Sequence, residues 1–171
     1  MGEKTLRAAG REDKFMAEVK DYITGKICQD IKKTLALLSK TKEPLAGTPI
    51  GLAIAKELKK LRPRKITLQD AMILIREAQK CAVGRRVCDA VHPDSRYAES
   101  VFLDELADGM VGAGKARYVT CEEAEETLEK YWQGPLIVTS VSGKYMEICR
   151  TYPKNCIYWN IEKHKFPCIE R

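Results

Sequence analysis

Four of the seven cysteines fall into two pairs of equal spacing, Cys81-x6-Cys88 and Cys149-x6-Cys156, and a fifth, Cys168, follows Pro167. Thiolates aimed from irregular backbone bind soft metals, and four of them satisfy an iron–sulfur cluster. Cys88, Cys149, Cys156 and Cys168 form the candidate set for such a cluster, expected as 4Fe–4S, with Cys81 as the substitute for Cys88. Arg85, Arg86, Arg150 and Lys154 lie beside these positions and offset the negative charge of a thiolate-ligated cluster. Tyr152, Tyr158, Trp159 and Phe166 supply a shield against water. The two-residue and four-residue ferredoxin spacings are absent.

Zinc is the competing metal: Cys149, Cys156, His164 and Cys168 make a Cys3His set, although its first spacing is longer than in common zinc modules. A third reading needs no metal, since cysteine is a small side chain well suited to burial. Cys28 and Cys121 fall on helical stretches and are assigned to packing or surface. An odd number of cysteines cannot all pair, and in a reducing compartment thiols are more often ligands or nucleophiles than bridges. A reversible Cys149–Cys156 disulfide would lack the usual Cys-x-x-Cys arrangement at a helix N-terminus.

Other chemistries are poorly supported. Gly109 to Lys115 matches the glycines and lysine of a phosphate-binding loop, but Ala116 stands where Ser or Thr would reach a metal ion. The stretch also runs from helix to strand, the reverse of the order that aims N–H groups at phosphate. A glycine-rich helix end with Lys115 beside the negative pole of the dipole explains the same residues. Asp104, Glu105 and Asp108 read as a solvated face, and Glu122, Glu123, Glu125 and Glu126 occupy the first turns of a capped helix. His92 sits in a turn and His164 between lysines, and no Gly-x-Ser-x-Gly elbow accompanies them, which speaks against hydrolase chemistry.

The run from Lys56 to Lys65 holds six Lys/Arg in ten residues, with Lys59, Lys60, Arg62 and Arg64 as candidate partner contacts. Such a run meets nucleic-acid phosphates, anionic lipid or an acidic protein patch, although it carries no aromatic side chain to stack a base. Residues 1–88 carry 20 Lys/Arg against 10 Asp/Glu, and residues 89–171 carry 10 against 14. A net charge of +6 therefore divides into a basic half and a mildly acidic one. The longest apolar run, Ala71 to Ile75, is far short of the roughly 20 residues that span a bilayer. With no apolar signal core and no Ser or Thr at the myristoylation position, a cytoplasmic protein without a membrane partner is expected.

These residues must be held by elements that the pattern suggests. Apolar residues three or four apart predict a long helix over 12–39, a second over 50–61 after Thr48-Pro49, and a third from Thr67 to about Lys80, where Thr67 and Asp70 resemble a capping box. The first 80 residues thus read as all-helical. Beyond them come a strand or extended loop over 82–88, a turn at His92–Ser95 and a helix carrying Phe102, Leu103, Leu106 and Met110. A strand over 117–119, a helix capped by Thr120 and Glu123, the strand Leu136–Val141 and a short helix before Cys149 follow. The expected fold is α/β or α+β: a basic region of about three helices over 1–80, then a small two-layer or three-layer α/β domain over 81–171 with a Cys-rich C-terminal segment. Alternation of this kind favours some parallel pairing.

The leading expectation is an iron–sulfur protein without catalysis of its own, acting in electron transfer or as an accessory to a redox enzyme, with an acidic redox partner docking on the basic helix. The alternative is a non-catalytic binding or regulatory module, with or without structural zinc, that contacts nucleic acid or an acidic protein through residues 56–65. A small-molecule enzyme working in the cleft of the α/β sheet is the third reading, and no residue stands out as its catalytic group.

Overall fold

The structure is a computed structural model that describes residues 16–41, 44–90 and 98–171. The His92–Ser95 turn and the first residues of the long N-terminal helix lie outside the described residues. The described elements run α1 (Val19–Ile23), α2 (Lys26–Lys40), α3 (Pro49–Leu61), β1 (Arg64–Ile66), α4 (Leu68–Glu77), β2 (Cys81–Arg85), β3 (Glu99–Leu103), α5 (Asp104–Gly112), β4 (Ala116–Val119), α6 (Cys121–Glu129), β5 (Leu136–Val141), β6 (Lys144–Arg150) and α7 (Ile157–Lys163). The result is a mixed α/β fold with a helical N-terminal part, as the pattern predicts.

Local chemistry sets several boundaries. Thr48 Oγ1 accepts from Gly51 N at 3.0 Å with Pro49 at the first helical position, so α3 begins where the sequence indicates. Reciprocal capping boxes open α4 (Thr67 with Asp70) and α6 (Thr120 with Glu123). The long N-terminal helix is instead two helices: Gly25 takes φ +81°, a conformation the apolar periodicity does not register, and turns the chain between α1 and α2. Phe102 and Leu103 belong to β3 rather than to the helix that follows. The expected short helix before Cys149 is strand β6.

The six strands form one sheet in the order β1-β5-β6-β3-β2-β4, and every strand pairing is antiparallel. This corrects the expected parallel pairing, for a topological reason. Strands joined through a helix (β1 to β2, β3 to β4, β4 to β5) do run in the same direction, as a helical crossover requires, but they are not neighbours: one strand lies between β3 and β4, and three lie between the members of each other pair. The all-helical reading of the first 80 residues fails at β1. That strand lies at the sheet edge beside β5, and its outer side is closed by the C-terminal segment: Lys65 N donates to Glu170 O at 2.8 Å and Glu170 N to Pro63 O at 2.9 Å.

Side chains alternate across a strand, so the register separates the two faces. Cys81, Val101, Ile148 and Val138 share the face covered by α4 and α6, which are tied by Arg76 and Glu125 (2.8 Å). On that face the buried Arg150 donates to Leu128 O at 2.8 Å and to Gly134 O at 2.9 Å, satisfying carbonyls near the end of α6. Phe102, Glu147 and Thr139 share the opposite face, covered by α1 and α5. Beyond them α2, α3 and α7 pack through Leu38, Ile54, Ile157 and Ile161. Among the described residues no helix is long and apolar enough to cross a membrane.

Two glycines test this packing. A Cβ on Gly84 would overlap the Lys115 carbonyl oxygen and Ala116 of the neighbouring strand, whereas one on Gly112 meets nothing within 4 Å. Gly84→Ala is expected to destabilise by about 1 to 3 kcal/mol, and Gly112→Ala to leave stability unchanged or raise it by up to about 1 kcal/mol. Urea denaturation midpoints check both; equal midpoints would contradict the β2–β4 register.

Candidate functional site

A row of polar side chains crosses the middle of the sheet on the face turned toward α1. Ser100 on β3 stands opposite Cys149 on β6, and Glu147, two residues back on the same face, stands opposite Thr139 on β5. Ser100, Thr139 and Glu147 are buried, with Glu147 only 7% exposed. The Cys149 thiol donates to Glu147 Oε1 at 3.3 Å and Thr139 Oγ1 to Glu147 Oε2 at 3.1 Å. Each of these donors has a single hydrogen, now used. The Ser100 hydroxyl therefore donates to Cys149 Sγ (2.9 Å), and the Tyr22 hydroxyl of α1 donates to Thr139 Oγ1 (3.3 Å). All four hydrogens lead toward one carboxyl group.

A cavity of about 40 Å³ adjoins this row, lined by Glu147 and Cys149 together with Tyr22, Tyr158, Arg86, Cys88 and Cys156. Ile27, Ile31, Ile157 and Tyr158 also line a larger groove of about 290 Å³ between α1, α2, α3 and α7. Ile54, Leu58 and Leu61 extend the apolar floor of that groove. Its charged rim is paired within itself: Lys20 with Glu18 (2.8 Å), Lys26 with Asp30 (2.8 Å) and Lys60 with Glu57 (2.9 Å).

Electrostatics follow burial. Loss of water, reinforced by Glu147, holds the Tyr22 hydroxyl and the Cys149 thiol well above their ordinary ranges. The same two causes raise Tyr158. Burial pushes the Cys156 and Cys168 thiols up to about 12. These thiols stay protonated near neutrality, which suppresses nucleophilic chemistry.

Three of the four expected cluster ligands, Cys88, Cys149 and Cys156, come to one cavity. Cys149 lies on a strand rather than on the expected loop, and Cys156 is the N-cap of α7. Cys168 donates to Tyr158 O at 3.4 Å and lines a separate open groove with Lys59, Arg62 and Phe166. Cys81, the proposed substitute, sits on the opposite face of the sheet, where it and Cys121 both donate to Ile75 O at 3.7 Å. His164 caps the far end of α7, eight residues from Cys156, or about 12 Å at the helical rise. Among the described residues no group of three or more His, Cys, Asp or Glu side chains is arranged to hold a metal ion.

The expected partner contacts are scattered in character. Lys60 is paired with Glu57, and Arg62, at φ +44° beyond α3, lies 3.9 Å from Glu170. Lys59 and Arg64 are exposed and have no carboxylate partner among the described residues. The near-match to a phosphate loop is structural: a Cβ on Gly109 would overlap Val19 of α1, and Lys115 Nζ donates to Ile23 O at 2.8 Å, capping α1.

Sequence reasoning passed over Glu147, Thr139, Ser100 and Tyr22. Their signal was a polar residue inside an otherwise apolar strand, visible for Thr139 but hidden for Glu147 by the helical reading of its segment. Against protein-family models, curated proteins and solved structures, the chain finds no match.

The raised thiols and phenols give stability a defined pH dependence. A group whose folded value is raised binds its proton more tightly in the folded chain, so its contribution is complete below the unfolded value and is lost as pH climbs toward the folded one. From the ordinary thiol value of 9.0 and the folded values of about 12 for Cys156 and Cys168, that window opens near pH 9 and closes near pH 12. Tyr22 and Tyr158 act in the same direction from their ordinary value of 10.0. Urea midpoints are expected to hold between pH 7 and 9 and to fall beyond; a midpoint unchanged at pH 10.5 would show that these groups are not buried.

Proposed function

We propose that the chain is a non-catalytic binding module for a small, largely apolar molecule that seats in the groove between α1, α2, α3 and α7. The observation that carries this reading is the groove itself, about 290 Å³ in volume and floored by isoleucine and leucine from three helices, α2, α3 and α7. Ligand pockets are mostly apolar, with a few converging polar groups that fix orientation, and begin at roughly 300 Å³. Tyr158 lines the groove and also the separate cavity beside Glu147. Burying roughly 200 Å² of ligand apolar surface contributes about 5 kcal/mol before the costs of association. Self-paired rim charges leave little net field, which favours recognition by shape over attraction of a polyanion.

Binding is favoured over thiol catalysis because Cys149 and Cys156 are held protonated. The iron–sulfur and zinc readings rest on cysteine spacing, and Glu147 works against them at this place: an acceptor carboxyl beside Cys149 opposes formation of the thiolate that a cluster requires. Protein purified without oxygen is therefore expected to carry neither iron nor acid-labile sulfide in stoichiometric amount. Both in near-equal quantity, with visible absorption that bleaches on reduction, would reinstate the cluster.

The groove is tested with the neutral apolar fluorophore N-phenyl-1-naphthylamine. Saturable enhancement at one site is expected, with affinity reduced at least tenfold by Leu58→Trp, which fills the groove, and unchanged by Ile73→Trp at an exposed position of α4. Enhancement that never saturates, or that ignores Leu58→Trp, would overturn the reading.

A further inference from the structure

We propose that Cys81 and Cys121 form a redox-sensitive pair that closes reversibly to a disulfide on the α4 side of the sheet, away from the groove. Both thiols donate to the same atom, Ile75 O, at 3.7 Å each, and the two sulfurs also interact with each other through a hydrogen bond. The backbone brings them together. The β2–β4 register sets Cys81 opposite Val119, and Cys121 follows after Thr120 as the first residue of α6. Disulfides join Cα atoms about 5.5 Å apart, and here the chain turns out of β4 into α6 beside the strand that carries Cys81. Cys81 is only 5% exposed whereas Cys121 is half-buried, so an oxidant in solution meets Cys121 first.

The oxidant is a low-molecular-weight disulfide such as glutathione disulfide. Cys121, having lost its proton to water, attacks one sulfur of that disulfide; a mixed disulfide forms, and the departing thiolate takes up a proton. Cys81 then loses its proton and attacks Cys121 Sγ, which breaks the mixed bond and expels the second thiolate, protonated in turn. Two protein thiols are oxidised and one disulfide is reduced to two thiols. Burial, followed by the charge and hydrogen bonding of Cys121, pushes the Cys81 thiol up to about 12. The two contributions of the Cys121 thiol vanish once it carries the mixed disulfide, so the first step eases the second. Closure also has an effect on α4. In a continuing helix Ile75 O would accept from Gln79 N, but that N–H donates to Asp104 Oδ1 at 2.8 Å, and the two S–H groups take its place. Oxidation removes both donors from a carbonyl of a fully buried residue, and the last turn of α4 loosens as the disulfide forms.

The test equilibrates the full chain at neutral pH in mixtures of glutathione and its disulfide, quenches it in acid, alkylates the remaining thiols and maps the links by mass spectrometry, with amide hydrogen exchange measured on both forms. A Cys81–Cys121 link is expected before any other pair forms, with reversal by dithiothreitol and exchange over the last turn of α4 faster by about tenfold. Cys121→Ser is expected to leave Cys81 reduced, and Cys81→Ser to hold Cys121 as the mixed disulfide with glutathione. Both thiols remaining free in excess glutathione disulfide, or a first link from Cys149 to Cys88 or Cys156, would overturn the pair. This mapping uses the unaltered chain and stands even if Cys81→Ser fails to fold. A Cys81–Cys121 link that leaves exchange in α4 unchanged would overturn the coupling to Ile75 O.

Discussion

Burying Glu147 in the centre of the sheet is the constraint on which much of the remaining architecture turns. Removing a carboxyl from water costs several kcal/mol unless donors replace the lost solvent. Here the direct donors are Thr139 on β5 and Cys149 on the strand of Glu147 itself, and these are held in turn by Tyr22 on α1 and Ser100 on β3. Each donor must keep its register or a link in the chain of hydrogen bonds to the carboxyl is lost. The network therefore fixes the β3–β6–β5 alignment and seats α1 on the sheet through a phenol, where an apolar contact alone would tolerate sliding.

This arrangement also accounts for thiols that gather at one end of the sheet while Cys149 and Cys156 are held protonated. Cys149 takes part as a hydrogen-bond donor, Cys156 begins a helix that roofs the cavity, and Cys88 follows the turn after β2. Their closeness reflects the path of three chain segments to one end of the sheet. The repeated six-residue spacing in the sequence has no geometric counterpart, because Cys81-x6-Cys88 spans a strand and a turn whereas Cys149-x6-Cys156 spans a strand end, a loop and a helix start. Cys81 and Cys88 are even separated by the sheet, with Cys81 directed toward Ile75 on the α4 side.

Local signals were legible wherever one residue's chemistry decides a boundary. The Thr67/Asp70 and Thr120/Glu123 boxes, Pro49 at the start of α3 and the Leu136–Val141 strand all stand where sequence reasoning puts them. Strand order was not legible, since alternation of helix and strand reports direction and not which strands become neighbours. The β5–β6 hairpin did leave a trace: Ser142 and Gly143 take φ +50° and +80°, the two left-handed positions of a tight hairpin turn, and Ser-Gly is a known turn pair. Reading Lys144–Cys149 as helix hid that trace, and with it the alternation that carries Glu147 and Cys149 to one face while Ile148 points to the other. The candidate site was thus half visible: its sulfur atoms drew attention through composition, and its carboxyl became apparent only once the strand was recognised.

The closure of β1 by the C-terminal segment has a consequence for the order in which the chain can complete itself. β1 needs β5, some seventy residues later, for its ladder, and its outer edge is sealed only when Glu170 docks beside Arg64 and Lys65. During synthesis from the N-terminus, the helices and β1 emerge long before either partner exists. High sequence separation between pairing segments slows folding and leaves strand edges open meanwhile. An exposed edge invites pairing with another chain, and the charged Arg64 and Lys65 on this three-residue strand are the residue types that discourage it. The last residues therefore act as a latch on the first strand, and shortening the chain at its end would reopen an edge at its beginning.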